Sequence, residues 1–444
     1  MLGIQKAEKL GDFLKVFRPA ALIDSDFSLF YYDGTMPIRT GDECASPFDD
    51  LFEECTTTLV KNAHLLMGHS GSGKSTELYD LKRKLDKDGY PTIIIDFMAE
   101  TDFHKASCWD IMLLITEGLC QIADAHSDKV SLPKGTLEAV LNYLKRDETK
   151  VDEVGVHREA GVSGGISAAT PAILKGLINA IASFRLEVKA NSASRTTITE
   201  KMEKRASEWI TYIAEISDNL VYGLSGKHPV LIFENIDKCR PEKALEILQY
   251  PYLSEMPFPI IYTLPISLSY DPRYATLKSN YKAHVLPMIK ISNDDKSDNE
   301  RGIETIREIV KLRANEGLFA QDALTHLIRK TGGVLRDLFE CIIQSARRAN
   351  RRNAQRIEME DANLALSLLS EELSRQISMP DNKMLVNIYN DPSYREQIED
   401  IQFLLNKTQG LVILEYRNGK RWHNLHPLVA DFLIKQGVIK TDNK

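Results

Sequence analysis

The sequence has no long uncharged apolar run and no paired-cysteine pattern. It nowhere offers the ~18 apolar residues that a membrane span needs, and its first residues, which include Lys6, Glu8 and Lys9, lack the apolar segment of a signal peptide. The six cysteines are scattered and form no C-x-x-C pair, which argues against a zinc site or a disulfide framework. We therefore expect a cytoplasmic protein with reduced thiols and no membrane contact.

The sequence also lacks an excess of positive charge. Its 56 lysines and arginines face 63 aspartates and glutamates, which gives a net charge of -7. An overall basic field that would attract nucleic acid is therefore excluded, and any DNA contact must come from a local patch. Apolar residues are plentiful: they make up 43% of the 444 residues, enough to build cores in two or three domains.

A glycine-rich motif between an apolar strand and a helix organises the chain. The pattern G-x-x-x-x-G-K-S follows the apolar run 63–67, and residues 76–85 continue with helical spacing. In such a loop the backbone N–H groups surround a β-phosphate, Lys74 brings a cation to the β and γ oxygens, and the Ser75 hydroxyl ligates Mg²⁺. We therefore predict ATP and Mg²⁺ as cofactors. The predicted binding residues are Gly68, His69, Ser70, Gly71, Ser72, Gly73, Lys74, Ser75 and Thr76.

A later strand that ends in acids carries the candidate catalytic residues. After the apolar run 230–233 come Glu234, Asn235 and Asp237. In ATP-hydrolysing P-loop proteins an acid here orders the Mg²⁺ shell, which assigns Glu234 to the metal together with Ser75. Asn235 stands where many such enzymes place a catalytic glutamate, and an amide cannot accept a proton from water. The base is then Glu234, Asp237 or a residue that the sequence does not reveal, and we expect slow turnover.

Further apolar runs predict an α/β fold, a P-loop NTPase core with a buried parallel sheet. The runs are 92–97, 257–264 and 284–291. Thr263 lies near the end of one run, where its hydroxyl either holds attacking water or the γ-phosphate, or only reflects β propensity. Asp96 in another run either lies near the nucleotide or forms a turn.

A large helical insertion at about 102–227 interrupts the strand pattern. Its apolar stripe at 173–181 is either core or a docking surface for a partner, and its glycine-rich segment 155–171 predicts a mobile loop. Before the phosphate loop, the acids between residues 49 and 54 form either a docking face or a solvated first helical turn.

Beyond residue 297 the pattern becomes helical and predicts an all-α lid over 298–376. A glycine pair opens a helix with Arg336 in its first turn, where an arginine is commonly a surface residue. Farther along lies a stretch without acids, which either grips phosphates or a neighbouring subunit's acids, or is a solvated helix end. Its cations are Arg347, Arg348, Arg351, Arg352 and Arg356.

The last part of the chain, 377–444, predicts a C-terminal winged helix. Two helices precede a hairpin and a closing helix, and Asn418-Gly419 is the strongest short hairpin signal. From Asp381 onward, nine lysines and arginines face eight acids, so the region is not strongly basic. DNA binding and a protein contact are therefore equally open.

Together, the phosphate loop, the acid-tipped strand, Thr263 and Arg336 resemble an AAA+/STAND-class P-loop ATPase with a helical lid and a winged helix. The resemblance implies that Thr263 and Arg336 act as the sensor 1 and sensor 2 residues of that class. The glycine pair and the helix after it resemble the lid of archaeal and eukaryotic origin-recognition initiators. The phosphate-loop string and the segment 422–427 are similar to poorly characterised bacterial ATPases, some of which are expected near anti-phage defence genes.

These observations predict an N-terminal arm at 1–40 and an ATPase core at 41–297, followed by the lid and the winged helix. Our leading hypothesis is an ATP-driven switch that couples nucleotide state to a protein partner, either a second copy of the chain or an effector. One alternative is a DNA-binding initiator or loader, in which the winged helix or the arginines at 347–356 hold DNA. The other is a scaffold that nucleotide stabilises and that turns over negligibly.

Overall fold

The apolar runs form one five-stranded sheet in the computed structural model. The strands are β1 Ala63–Gly68, β2 Thr92–Asp96, β3 Val230–Glu234, β4 Ile260–Pro265 and β5 Lys282–Val285. They pair in the order β2-β3-β4-β1-β5, and every pairing is parallel. The predicted α/β core is therefore confirmed. The fifth strand begins earlier and ends sooner than the predicted run 284–291. Residues 286–291 are buried, as their apolar pattern suggests, but they are not part of a strand.

The structure describes residues 5–23, 25–57, 62–102, 104–145, 171–190, 205–391, 393–394 and 398–440. The predicted mobile loop lies outside these ranges except for Pro171, which begins a helix. Residues 191–204 of the predicted helical insertion also lie outside them.

Helices make up most of the rest of the described chain. In the first half they are α1 Phe13–Val16, α2 Asp26–Phe30, α3 Met36–Thr40, α4 Pro47–Thr56, α5 Lys74–Lys87, α6 Phe97–Glu100, α7 Cys108–Ala125, α8 Lys134–Lys145, α9 Pro171–Ala190 and α10 Ala206–Gly223. In the second half they are α11 Pro241–Leu248, α12 Tyr274–Asn280, α13 Glu300–Arg313, α14 Ala323–Lys330, α15 Leu335–Arg351, α16 Met359–Ser374, α17 Asn382–Asn390, α18 Ile401–Gln409 and α19 Pro427–Lys435. No helix among the described residues has the length and apolar character to span a bilayer.

The two faces of the sheet bury different helices. Leu65 and Met67 of β1 pack in one cluster with the helical insertion, whereas Leu66 packs in another with Leu51 of α4 and Leu78 of α5. Successive strand residues point to opposite faces, which explains this division. The sheet is therefore covered on both sides, and its ligand edge is left at the carboxyl ends of the strands.

The apolar stripe of the insertion belongs to the core. Leu174, Leu177 and Ile181 of α9 are buried in the cluster that also contains Leu231 of β3. In the same region the Trp209 indole donates a hydrogen bond to the Thr116 hydroxyl at 3.0 Å. The alternative interpretation of this stripe as a docking surface does not fit these burials.

The lid and the winged helix share one hydrophobic cluster with the N-terminal arm. The cluster includes Phe13 of the arm, Phe319 of the lid and Tyr416 of the hairpin. The hairpin pairs β6 Ile413–Asn418 with β7 Lys420–Leu425 in antiparallel register, and Tyr416 stacks on Trp422 with ring centroids 4.6 Å apart. Packing is thus continuous across residue 376, and the domain boundaries given above stay predictions.

Candidate nucleotide site

The phosphate loop joins β1 to α5 as the motif predicts. β1 ends at Gly68, and α5 begins at Lys74 directly after Gly73. Gly71 and Gly73 have φ of 77° and 101°, in the left-handed region that side chains rarely allow, so these two positions require glycine. The backbone can therefore fold back to the N-terminus of α5, where unpaired N–H groups and the helix dipole favour a phosphate.

Lys74 is buried at the centre of the loop, with 6% of its side chain exposed. Its Nζ lies 2.9 Å from the Gly68 carbonyl oxygen, 3.2 Å from the His69 carbonyl oxygen and 2.9 Å from Asp237 Oδ2. An ammonium has three N–H donors, and these three acceptors occupy all of them. A phosphate oxygen that binds Lys74 would therefore displace one of these partners.

Glu234 ends β3 beside the start of α5. Its carboxylate accepts a hydrogen bond from Ser75, and the residue is buried. Burial raises the pKa of Glu234, the bond from Ser75 opposes this shift, and the nearby Asp237 and Asp96 carboxylates add to it. Asp96 itself is exposed and caps α6, so the turn interpretation is the one that its geometry fits. Ser75 and Glu234 together offer the hard oxygen ligands that Mg²⁺ prefers.

Asp237 and Thr263 contact each other beside Lys74. Although burial raises the pKa of Asp237, Lys74, Lys238 and the hydrogen bond from Thr263 together hold that pKa below its ordinary value. The Thr263 hydroxyl lies 3.3 Å from Asp237 Oδ1 and 3.2 Å from the Phe233 carbonyl oxygen. Thr263 thus orients the carboxylate, and its contact with water or the γ-phosphate stays a prediction.

Arg336 reaches the phosphate loop from the first turn of α15. Its Nη1 donates to Ser70 Oγ at 2.7 Å, and its backbone N–H donates to the Gly71 carbonyl oxygen at 3.3 Å. A Cβ added at Gly71 would lie 2.8 Å from Arg336 Cβ, so the lid and the loop are in close contact. The predicted sensor 2 residue therefore lies at the loop and is not a remote surface arginine.

The N-terminal arm is a part of the site that the sequence analysis missed. The Tyr31 hydroxyl donates to Glu77 Oε2 at 2.9 Å. The buried Arg39 donates to the Ser72 carbonyl oxygen at 2.8 Å and to the Pro287 carbonyl oxygen at 2.7 Å. Burial lowers the pKa of Arg39 to about 10, which still leaves it charged at neutral pH. The arm thereby holds both the phosphate loop and the chain after β5.

A cavity at the loop has walls from four parts of the chain. Tyr32 comes from the arm, Lys74 from the loop, Asp237 from the segment after β3, and Arg336 and Phe339 from the lid. The aromatic side chains come from the arm and the lid, whereas all four parts contribute cations. A molecule with an aromatic ring and a phosphate chain suits these walls, as a nucleotide does.

The side chain of His69 contacts the winged helix, which the sequence analysis did not foresee. Its Nε2 accepts the backbone N–H of Glu415 at 2.8 Å. Burial lowers the pKa of His69 to about 4, so the ring is neutral at neutral pH and can accept this bond. The Glu415 carboxylate also accepts the Tyr270 hydroxyl and lies 3.3 Å from His423 Nε2. Buried polar contacts therefore join the phosphate loop to the hairpin.

The arginine cluster at 347–356 lies outside this site. Arg352 Nη2 lies 2.6 Å from the buried Asp361, and Arg348 and Arg356 also pair with acids at the start of α16. These acids follow the cluster in the chain, so the stretch 347–356 itself contains none. Folding brings them back onto the arginines, which leaves less free positive charge than the sequence implied.

Neither a model of a known protein family nor a curated protein matches this chain. Solved structures do resemble it. The ORC1 protein of Aeropyrum pernix in complex with DNA has 14% identity and a TM-score of 0.36, and the match covers 88% of this chain and 92% of that chain. Cdc6p of Pyrobaculum aerophilum has 13% identity and a TM-score of 0.33, and the match covers 94% of this chain and 100% of that chain. Drosophila ORC bound to DNA has 11% identity and a TM-score of 0.31, and the match covers 96% of this chain and 99% of that chain. These structural neighbours are ORC and Cdc6 proteins.

Proposed function

We propose that this protein is an ATP-dependent molecular switch in which bound nucleotide sets how the lid and the winged helix dock on the phosphate loop. The observation that carries the proposal is the position of Lys74, buried between loop carbonyls and Asp237 while Arg336 contacts the loop from the lid. Two cations at a glycine-rich helix N-terminus fit the phosphates of a nucleoside triphosphate. When bound, Mg²⁺-ATP supplies the phosphoryl group whose transfer to water would reset the switch.

The polar residues of the site have separate proposed roles in metal binding, phosphate binding and proton transfer. Ser75 and Glu234 would hold Mg²⁺, and Lys74 would neutralise phosphate oxygens. Glu234 is also the stronger candidate for a general base, because Asp237 is held in an ion pair with Lys74, which weakens it as a proton acceptor. Since Asn235 follows Glu234 where a second carboxylate could stand, we expect slow turnover.

Replacing Lys74 tests nucleotide binding directly. Lys74→Ala removes the only side-chain cation that the loop itself supplies, and ATP affinity should fall by about 10- to 100-fold, the value of a lost charge-assisted contact. Lys87→Ala, at the exposed end of the same helix, is the matched control and should bind ATP like the parent. Titration calorimetry on variants that circular dichroism shows to be folded decides the question. Unchanged affinity in folded Lys74→Ala would refute the proposal.

A turnover assay separates the switch from its alternatives. A switch predicts slow but measurable ATP hydrolysis without DNA, a loader predicts stimulation by DNA, and a scaffold predicts negligible hydrolysis under both conditions. Glu234→Gln should retain ATP but lower turnover. If Glu234→Gln and Asp237→Asn both hydrolyse ATP at the parent rate, these acids are not catalytic.

DNA binding is a second candidate because the tip of the hairpin is basic. Arg417, Lys420 and Arg421 are exposed there on either side of Gly419. Such a tip can contact a phosphate backbone, whereas most of the arginine cluster at 347–356 is engaged with acids. A role in bacterial anti-phage defence rests on the sequence resemblance alone, and neither the structure nor the comparisons support it.

The DNA proposal is tested by replacing all three tip residues with alanine. Fluorescence anisotropy with a labelled duplex at two salt concentrations should show weaker binding and a smaller salt dependence for this triple variant. A second triple variant, in which the exposed Lys383, Lys435 and Lys440 become alanine, loses the same charge elsewhere in the winged helix and should bind like the parent. An equal loss of DNA affinity in the two triple variants would show that the effect of charge is non-specific.

A further inference from the structure

A cluster of three metal-ligand side chains lies on the sheet face that α4 and α5 cover. Glu54 comes from α4, His64 from β1 and His284 from β5. His284 pairs in register with Leu66, and His64 lies two residues before Leu66, so both imidazoles project to the same face of adjacent strands. The acids at 49–54 therefore do not all behave as a solvated first turn, because Glu54 is directed at the sheet.

The distances within this cluster are short. Glu54 Oε2 lies 3.1 Å from His64 Nδ1 and 3.0 Å from His284 Nε2. Both histidine side chains are buried, with 0% and 8% exposure. Neither contact has the alignment of a hydrogen bond, and Glu54 Oε2, His64 Nδ1 and His284 Nε2 have no other hydrogen-bond partner among the described residues. Three buried polar atoms thus converge without satisfying each other.

The second oxygen of Glu54 is already engaged. Lys282 Nζ donates to Glu54 Oε1 at 2.7 Å. This bond fixes the carboxylate and leaves Oε2 to face the two imidazoles, which is how outer contacts orient a ligating carboxylate.

We propose that Glu54, His64 and His284 bind a divalent transition-metal ion of the zinc class. Two imidazole nitrogens and one carboxylate oxygen are a usual protein ligand set for such an ion, with water as the fourth ligand. Tetrahedral bonds of about 2.0–2.1 Å place neighbouring ligand atoms about 3.3 Å apart. The observed 3.0 and 3.1 Å are close to that separation. Mg²⁺ and Ca²⁺ are disfavoured because they prefer oxygen ligands throughout.

The metal would clamp α4 to β1 and β5. His64 lies near the start of β1, four residues before Gly68, at the opposite end of the strand from the phosphate loop. At about 3.3 Å per residue this places it roughly 13 Å from the loop. The site is therefore separate from the nucleotide site.

The parent protein, stripped of metal with a chelator, is titrated with Co²⁺ as a spectroscopic probe and then with Zn²⁺. We expect d–d absorption typical of tetrahedral nitrogen and oxygen ligation at one Co²⁺ per chain, displaced by Zn²⁺. Zn²⁺ should also raise the melting temperature, because an ion that binds only the folded state stabilises it. Glu54→Gln and His284→Asn should lose the band and the shift, whereas His326→Gln, at a half-buried histidine of the lid outside the cluster, should keep both.

The outcome does not depend on the nucleotide proposal, because Lys74→Ala should bind Co²⁺ like the parent. A folded parent that shows neither the band nor the Zn²⁺-dependent shift would overturn the metal site, whether or not the variants fold. A band that survives in folded Glu54→Gln and His284→Asn would overturn it too, since the ion would then bind elsewhere.

Discussion

The buried ion pair between Lys74 and Asp237 sets the electrostatics of the phosphate loop. The two side chains are 6% and 10% exposed, and Nζ lies 2.9 Å from Oδ2. Removing one partner of a buried pair leaves an uncompensated charge and costs about 3–5 kcal/mol. Phosphate oxygens of a bound nucleotide would supply the missing negative charge, so the pair would link stability to the proposed nucleotide binding.

Asp237→Asn should therefore lower the free energy of unfolding by about 3–5 kcal/mol when no nucleotide is added. Mg²⁺-ATP should then raise the melting temperature more in the variant than in the parent, because its phosphates restore a counter-charge to Lys74. Asp431→Asn breaks an exposed pair with Lys330 and, as the control, should change stability by less than about 1 kcal/mol. Equal ATP-dependent shifts in Asp237→Asn and the parent would contradict this account.

Asp337, in the first turn of α15, makes stability depend on pH. Burial raises its pKa from 3.8 to about 6, against the opposing effect of Arg336 and with a contribution from Glu372. His426, whose Nε2 is 4.0 Å from Asp337, stays neutral because burial lowers its pKa to about 3. Protonated Asp337 therefore stabilises the fold below pH 3.8, and this stabilisation is lost as the pH rises through about 6.

Asp337→Asn carries no charge at any pH and should gain stability relative to the parent as the pH rises from about 4 to about 8. The gain should reach up to about 3 kcal/mol, the equivalent of a shift of about two pKa units. Urea unfolding at several pH values measures it, with Glu340→Gln, at an exposed acid on the same helix, as the control. A difference that does not vary with pH would show that Asp337 is not the titrating group.

Among the elements, those with a local signal were predictable and those held by distant contacts were not. The predicted closing helix is α19, which begins at Pro427 because proline suits the first helical turn and His426 caps it. The N-terminal arm had no local sequence signal of this kind. The Leu22 N–H reaches Thr76 Oγ1 across 54 positions of sequence, and such a contact leaves no periodic pattern.

The same distinction applies to the candidate site. The phosphate loop was predictable because its motif fixes the backbone locally, and the acid strand because it ends a buried apolar run. The contact between Thr263 and Asp237 was not, since residues of two different strand ends meet only when the sheet forms. Arg336 was placed at the site by resemblance to a family, not by its own sequence pattern.

Arg336→Ala should reduce the conformational difference between the ATP-bound and ADP-bound protein. The guanidinium is a planar donor that can hold γ-phosphate oxygens, and ATP shifts the lid only to the extent that it binds the two states unequally. Hydrogen exchange across residues 300–440 should differ between ATP and ADP in the parent and less so in the variant. Arg347→Ala, at an exposed arginine of the same helix, should behave like the parent. If the parent shows one exchange pattern with both nucleotides, the switch loses its mechanism.

In the molecule as a whole, the phosphate loop is the point where the other parts meet. The arm reaches Ser72 through Arg39, and the lid reaches Ser70 through Arg336. The winged helix reaches His69 through the backbone of Glu415. A conformational change in the loop on nucleotide binding would therefore reach the arm, the lid and the winged helix. His69 makes the direct contact with the winged helix.

Replacing His69 should therefore release the hairpin from the loop. His69→Leu cannot accept the Glu415 N–H and leaves a buried donor unsatisfied, at a cost of about 1–3 kcal/mol. Hydrogen exchange at 413–425 should then rise, while Lys74 and the loop glycines still bind ATP. His69→Gln keeps an acceptor of similar reach and should restore much of the protection. If amide hydrogen exchange at 413–425 is the same in His69→Leu as in the parent, hydrophobic packing alone holds the winged helix on the loop. The nucleotide state must then affect the winged helix through the lid.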